Sequence, residues 1–208
     1  MNFRQRLASA APSRETVVTV GVFDGVHQGH RHLLRQVVEL AGDQYIPTVV
    51  TFSNRPITVL RPGTEPSYLT SLDQRVDLIK QQGIEIVVCL DFTLKLSKVI
   101  AADFAKLLTD SLKMKGLVLG PDSALGKDRQ GDLAFMKQQG EQSGFWATSV
   151  EPLEIEGKPV KSRRIREAVA SGNMAVCPEL LGRNHHLDGV VVLGDQRGRT
   201  LGFPTANL

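Results

Sequence analysis

Cysteine is scarce. Cys89 and Cys177 are the only two in 208 residues, and each falls in an apolar strand-like or helix-like run. In such positions they read as reduced, small packing residues of a cytosolic protein. Aromatics are sparse too, with one tryptophan and two tyrosines. The interleaving of basic and aromatic residues that marks a nucleic-acid surface is missing, so the net charge of +3 fits small polyphosphate partners better than nucleic acid. No apolar stretch is long enough to cross a membrane. The stretch from Met1 to Ala11 has arginines but no continuous apolar core, which argues against a secretory signal. There is no internal repeat and no low-complexity segment. What remains, 41% hydrophobic and 23% charged residues, suffices for one sizeable α/β domain and part of another.

Strand-like apolar runs alternate with helical periodicity. The runs are Val17–Gly21, Pro47–Phe52, Ile84–Leu90, Leu117–Gly120 and Trp146–Val150. The helical segments are His30–Leu40, Leu72–Gln82, Ala101–Leu112, Leu133–Gly140 and Ile165–Ala170. This alternation predicts a doubly wound parallel sheet covered on both faces, with ligands at the carboxyl ends of its strands. The tail differs. Asp188–Gly194 reads as a short β run, and the residues from Gly198 to Leu208 look like the opening of a second domain.

The most informative stretch is Gly21-Val22-Phe23-Asp24-Gly25-Val26-His27-Gln28-Gly29-His30. It lies between the first strand and the first helix. Its glycines let backbone approach a ligand, and the following helix offers free N–H groups to an anion. It lacks the Gly-Lys-Ser/Thr of a Walker loop, and its glycines miss the dinucleotide GxGxxG spacing. His27-Gln28-Gly29-His30 resembles instead the HxGH signature of adenylyl- and cytidylyltransferases, in which imidazoles steady a nucleoside triphosphate. A second cluster, Gly157–Arg166, holds five basic residues and no acid. With Ser162 as N-cap, Arg163 and Arg164 would oppose a helix dipole unless an anion sits there.

The motifs together resemble the prokaryotic bifunctional riboflavin kinase/FMN adenylyltransferases, the FAD synthetase family, along nearly the whole chain. Gly21–His30 is similar to the family's first nucleotide motif. Leu69–Leu72 resembles the opening of its second helix, and Gly120–Asp132 its G-x-D-F-x-F-G-x-x-R-x-G-D loop. Val160–Arg166 resembles the I-S-S-T-x-x-R triphosphate clamp. Leu181–Arg183 and Gly202–Asn207 resemble the linker and the start of the kinase domain. The resemblance implies a Rossmann-like sheet of the HxGH nucleotidyltransferase type with a short β tail. It implies AMP transfer from ATP to FMN with magnesium, catalytic His27 and His30, and nucleotide contacts from Gly21, Phe23, Asp24, Gly25, Gly29, Ser162 and Arg166. Flavin contacts fall to Asp122, Gly126, Arg129 and Asp132. Thr205 and Asn207 would serve ATP and magnesium in the kinase reaction, which residues 184–208 alone are not expected to perform.

The chain departs from the family at several places. Arg55 replaces a histidine, Ser123 and Leu125 stand where two phenylalanines are usual, and Lys161 and Arg163 replace a Ser and the Thr. That removes aromatic surface from the flavin loop and leaves the clamp to hold triphosphate by charge. Asp24 has two readings, orienting phosphates or hydrated magnesium, or bonding to nearby backbone. Lys127 and Arg129 are either phosphate contacts or a solvated loop. His27, His30 and His32 have no cysteine or carboxylate at a completing spacing for zinc. Two other outcomes stay open, a non-catalytic nucleotide or flavin module and an HxGH transferase with another acceptor.

Overall fold

The computed structural model describes residues 2–64, 67–192, 194, 197–200, 202 and 203. The chain opens with helix α1 (Phe3–Ser9), strand β1 (Thr16–Val20), helix α2 (Gln28–Ala41) and strand β2 (Ile46–Phe52). Helices α3 (Pro56–Leu60) and α4 (Leu72–Lys80) precede strand β3 (Ile86–Leu90). Then come α5 (Leu94–Ser97), α6 (Ala101–Leu112), β4 (Met114–Leu119), α7 (Leu133–Ser143) and β5 (Trp146–Ser149). A two-stranded hairpin, β6 (Glu154–Ile155) and β7 (Lys158–Pro159), leads to α8 (Ser162–Ala170), α9 (Cys177–Leu181) and α10 (Arg197–Thr200).

Strands β1 to β5 form one parallel sheet in the order β3-β2-β1-β4-β5. The chain winds outward from β1 through β2 to β3, then returns to the other side of β1 with β4. The order therefore reverses between β1 and β4, and a crevice opens at their carboxyl ends. All five residues of β1 and all seven of β2 are buried, as continuous apolar strands of a doubly covered sheet must be. One core packs Val18, Val20 and Leu117 under Leu7, Phe104 and Leu108 of α1 and α6. The opposite core packs Val17 and Val49 under Leu34 and Val37 of α2 and Ile79 of α4. A third cluster joins Leu69 to Ile165, Cys177 and Leu181, seating α8 and α9 behind the turn after β1.

Three expectations change. The five strands and five helices predicted from periodicity are present, but α1, α3, α5, α9, α10 and the β6–β7 hairpin are added, α1 being capped by Asn2 and Gln5 in a reciprocal box. Ser162 is the first helical residue of α8 rather than its cap. Lys161 holds the cap position with no side-chain hydrogen bond, because the Ser162 hydroxyl donates instead to the Asp24 carbonyl at 2.9 Å. Asp188–Gly194 is not a strand among the described residues, where only Val192 makes a bridge and Arg197–Thr200 turns helical. A strand needs a neighbour to satisfy its backbone. What holds the start of this tail is a side-chain bond from Gln74 of α4 to Asp188. Thr205 and Asn207 lie outside the described residues.

Candidate functional site

The turn from Gly21 to His27 sits at the reversal point and is built under strain. Phe23 (φ 53°), Gly25 (φ 82°) and Val26 (φ 37°) all occupy left-handed backbone, which is costly for phenylalanine and more so for a β-branched valine. The surroundings overdetermine it. The Val22 carbonyl accepts from the Thr51 hydroxyl at 3.0 Å and from Arg75 Nη1 at 3.2 Å. The Gly25 N–H donates to the Thr70 hydroxyl at 3.1 Å. Carbonyls are thus drawn into the protein, while Gln28 and Gly29, in the first turn of α2, have N–H groups without intrahelical acceptors by position.

His27 caps α2. Its Nδ1 accepts from the His30 N–H at 3.2 Å, so in the neutral ring the proton resides on Nε2. The His30 ring stacks on it at 3.7 Å and meets the Phe23 ring edge-on at 5.2 Å. Burial pulls His27 down to about 4, with help from Arg166 and Arg183. Burial, followed by His27, Arg75 and Arg166, takes His30 well below its usual value. At neutral pH both are therefore uncharged donors rather than cations. His30 packs more than its place at a helix start implies, and its Nδ1 is buried with no partner among the described residues. Gly29 lies between the two histidines in sequence. A Cβ there would stand 3.0 Å from the Val160 carbonyl oxygen and 3.2 Å from the His27 ring, so glycine lets α2 and the clamp segment approach.

Asp24 is buried, and both carboxylate oxygens are committed. Oδ1 accepts from the Leu69 N–H at 2.9 Å, and Oδ2 pairs with Arg166 Nη1 at 2.7 Å. Of the two readings of this residue, backbone bonding is realised, though to a segment 45 residues away. The pair draws the α8 guanidinium to the turn, and Arg166 keeps further N–H donors. Burial and Arg55 oppose its charge while Asp24 favours it. Arg75, fully buried on α4, places a second guanidinium beneath the turn and donates to the Phe52 carbonyl at 2.8 Å.

Two cavities meet here. The first, about 350 Å³, is lined by Gly21, Phe23, His27, Gly29, His30 and, from the far side, Lys161 and Ser162. The second, about 570 Å³, is more apolar and holds Phe52, Phe92, Leu96 and Phe104 beside Asp122, Gly126 and Arg129. Gly21, Val22, Asp122 and Ser123 line both. Lys161 pairs with Asp122 at 2.5 Å across the mouth of the first. The Arg129 guanidinium donates to the Asp122 carbonyl at 2.6 Å, and Gly126 packs against the start of α6. Lys127 faces Asp128 at 3.8 Å. Asp132 is placed elsewhere. It caps α7, accepting from the Phe135 N–H at 2.9 Å, and does not line the second cavity.

Sequence reasoning missed Arg75, although Arg75 and Ile79 share one face of α4 at the spacing that marks buried positions. It also missed Phe52, Phe92 and Phe104, which restore aromatic surface where Ser123 and Leu125 remove it. Phe52 and Phe92 meet edge to face at 5.5 Å. No one-dimensional signal joins residues from the ends of two strands and a helix.

Comparison with known proteins bears on the site. A model of the FAD synthetase family matches residues 9–164, and one of riboflavin kinase matches residues 181–208. The chain is 35% identical to the bifunctional riboflavin kinase/FMN adenylyltransferase of Escherichia coli (strain K12) over 96% of its own length and 64% of that protein. It is 35% identical to the enzyme of that name from Pseudomonas fluorescens, over 94% and 63%. It thus spans less than two thirds of these curated relatives. A solved structure described as a macrolide-efflux protein from Streptococcus pneumoniae superimposes with a TM-score of 0.84 at 32% identity, covering 94% of this chain and 64% of that one. No helix among the described residues is long and apolar enough to cross a membrane.

Proposed function

The chain belongs to the FAD synthetase family, and from that membership and its paired cavities we propose that it transfers AMP from ATP to the phosphate of FMN and releases pyrophosphate. The observation that carries the reading is the shared wall at Gly21, Asp122 and Ser123. It lies between a cavity walled by imidazole donors and an aromatic-walled one. A triphosphate in the first and a flavin in the second bring the FMN phosphate against the α-phosphorus.

A phosphate oxygen of FMN attacks that phosphorus, and the bond to the β-phosphate oxygen breaks. Little covalent chemistry is asked of the protein, which supplies position and charge neutralisation. His27 offers Nε2–H to the developing charge with its ring fixed by the bond to His30. His30 buttresses it and presents its own N–H. The first-turn N–H groups of α2 hold further oxygens, while Ser162 and Arg166 steady the departing pyrophosphate. Magnesium enters as part of the metal–nucleotide substrate. Both oxygens of Asp24 are engaged, and no three His, Cys, Asp or Glu groups among the described residues form a metal cage.

Residues 1–183 form the adenylyltransferase unit in this reading, and 184–208 begin a kinase-type segment. Free Cys89 and Cys177 fit a reducing cytoplasm. Protein incubated with ATP, magnesium and FMN, with flavins separated chromatographically, should yield FAD and equimolar pyrophosphate. Binding of both ligands without turnover would favour the non-catalytic module, for which the Lys161–Asp122 pair across the cavity mouth is the specific observation.

A further inference from the structure

The stretch that follows α9 is tied to the nucleotide turn at several points. Arg183 Nη2 donates to the Gly25 carbonyl at 2.7 Å, and Nη1 lies 3.3 Å from the Val26 carbonyl and 3.4 Å from that of Leu181. From the other side, Gln28 Nε2 donates to the Glu179 carbonyl at 2.8 Å, and Arg31 Nη1 reaches the Gly182 carbonyl at 3.4 Å. The chain bends there because Gly182 is left-handed (φ 71°) and a Cβ would stand 2.6 Å from Arg31. The Arg183 guanidinium is part-buried, its Nε is sealed with no acceptor, and no carboxylate pairs with it among the described residues.

A cation in such a place is unfavourable unless it serves something. Here it grips the carbonyls of Gly25 and of strained Val26, the two residues that immediately precede His27, and so fixes the direction in which that ring and the first turn of α2 point. A bidentate fork suits adjacent carbonyls in a way that a lysine ammonium does not. Arg183 also lies in the 181–208 match to riboflavin kinase, outside the 9–164 match to FAD synthetase.

We propose that Arg183 is a positioning residue for adenylyl transfer, by which the segment leading into the kinase-type region holds the nucleotide turn in its working shape. This rests on the adenylyltransferase reading. The turn and the following segment are then energetically linked. Whatever pulls Arg183 from the Gly25 carbonyl loosens the nucleotide site, and a nucleotide in the site tightens residues 179–183 in return.

The test uses Arg183→Lys and Arg183→Met in the full 208-residue chain. Arg183→Met should lower kcat at least tenfold and weaken ATP in calorimetry, with the KM for FMN changed less than threefold. Arg183→Lys should recover much of the ATP affinity through its charge but little of kcat, because the fork is lost. The His27 imidazole, followed by NMR titration, should move up from about 4 in Arg183→Met, since a nearby cation has gone. Unchanged kcat, ATP affinity and His27 titration in a protein that only melts lower would overturn the proposal and leave Arg183 a structural brace. If the wild-type chain makes no FAD, the adenylyltransferase reading fails by itself, and ATP calorimetry with the His27 titration still decides the role of Arg183.

Discussion

Burial holds His27 and His30 in the neutral form, and this has two measurable consequences. His27 titrates near 4 in the folded chain, chiefly through burial, against about 6.5 when unfolded. Between those values the unfolded chain binds the extra proton. The stability that neutral His27 contributes is therefore complete above pH 6.5 and is lost as the pH falls towards 4, by roughly 3 kcal/mol in all. His30 is shifted in the same direction. Urea midpoints measured from pH 7 to pH 4 should fall, and a His27→Gln variant should fall less steeply. An equal slope would mean that the ring is solvated. The second consequence concerns rate. His30→Ala removes a donor aimed at the cavity and should lower kcat on the order of a hundredfold. Since His30 also stacks on His27 and meets Phe23, a modest loss of melting temperature is expected alongside. Turnover equal to wild type in the folded variant would remove His30 from the mechanism.

At the scale of elements, the site is an agreement between α2 and α8 made through Asp24. Under the adenylyltransferase reading Arg166→Ala would remove a cation offered to the phosphates, and it leaves the buried Asp24 carboxylate without its partner, which costs a few kcal/mol when no other group replaces it. ATP affinity should fall about ten- to a hundredfold while FMN affinity stays within a factor of two. Calorimetry below the lowered melting temperature separates the two, and equal losses would make Arg166 a brace alone. The β1–α2 turn was readable because its glycines, its place between an apolar run and an amphipathic one, and its paired histidines are all local signals. The parallel, doubly covered sheet followed from the alternation of β and α segments, whereas its strand order, β3-β2-β1-β4-β5, is set by tertiary packing that alternation does not encode. Other pieces were hidden for stateable reasons. Asp132 sits where a helix cap is expected, yet the flavin-loop pattern drew attention from that simpler role. Ser162 looked like a cap because serine usually is one, and only the three-dimensional approach of Asp24 gives its hydroxyl another acceptor. Arg183 bonds to residues more than 150 positions away, and no pattern in a single sequence records such a contact.

For the whole molecule the question is whether two adjoining cavities act as two sites. Their walls differ in kind. One carries imidazoles, Lys161 and a helix N-terminus, and the other carries Phe52, Phe92 and Phe104. The Lys161–Asp122 pair stands at their junction, but both side chains are largely exposed, and such a pair holds with about 0–1 kcal/mol. Under the adenylyltransferase reading a bound triphosphate would draw Lys161 from Asp122 at little cost. The ring of Phe92 is far better suited to discriminate between the substrates. It is uncharged, lies in the second cavity alone, and meets Phe52 edge to face. A planar flavin stacked there would gain about 1–3 kcal/mol, by analogy with base stacking on aromatic side chains. Phe92→Ala should weaken FMN between fivefold and a hundredfold, leave ATP within a factor of two, and raise the KM for FMN more than it lowers kcat. Combined with Arg166→Ala, the losses should add in free energy, as they do for sites without shared partners. Flavin fluorescence titrations of the single and double variants give the numbers. If Phe92→Ala weakens ATP as much as FMN, the two cavities are one continuous site, and the division of substrates between them is wrong.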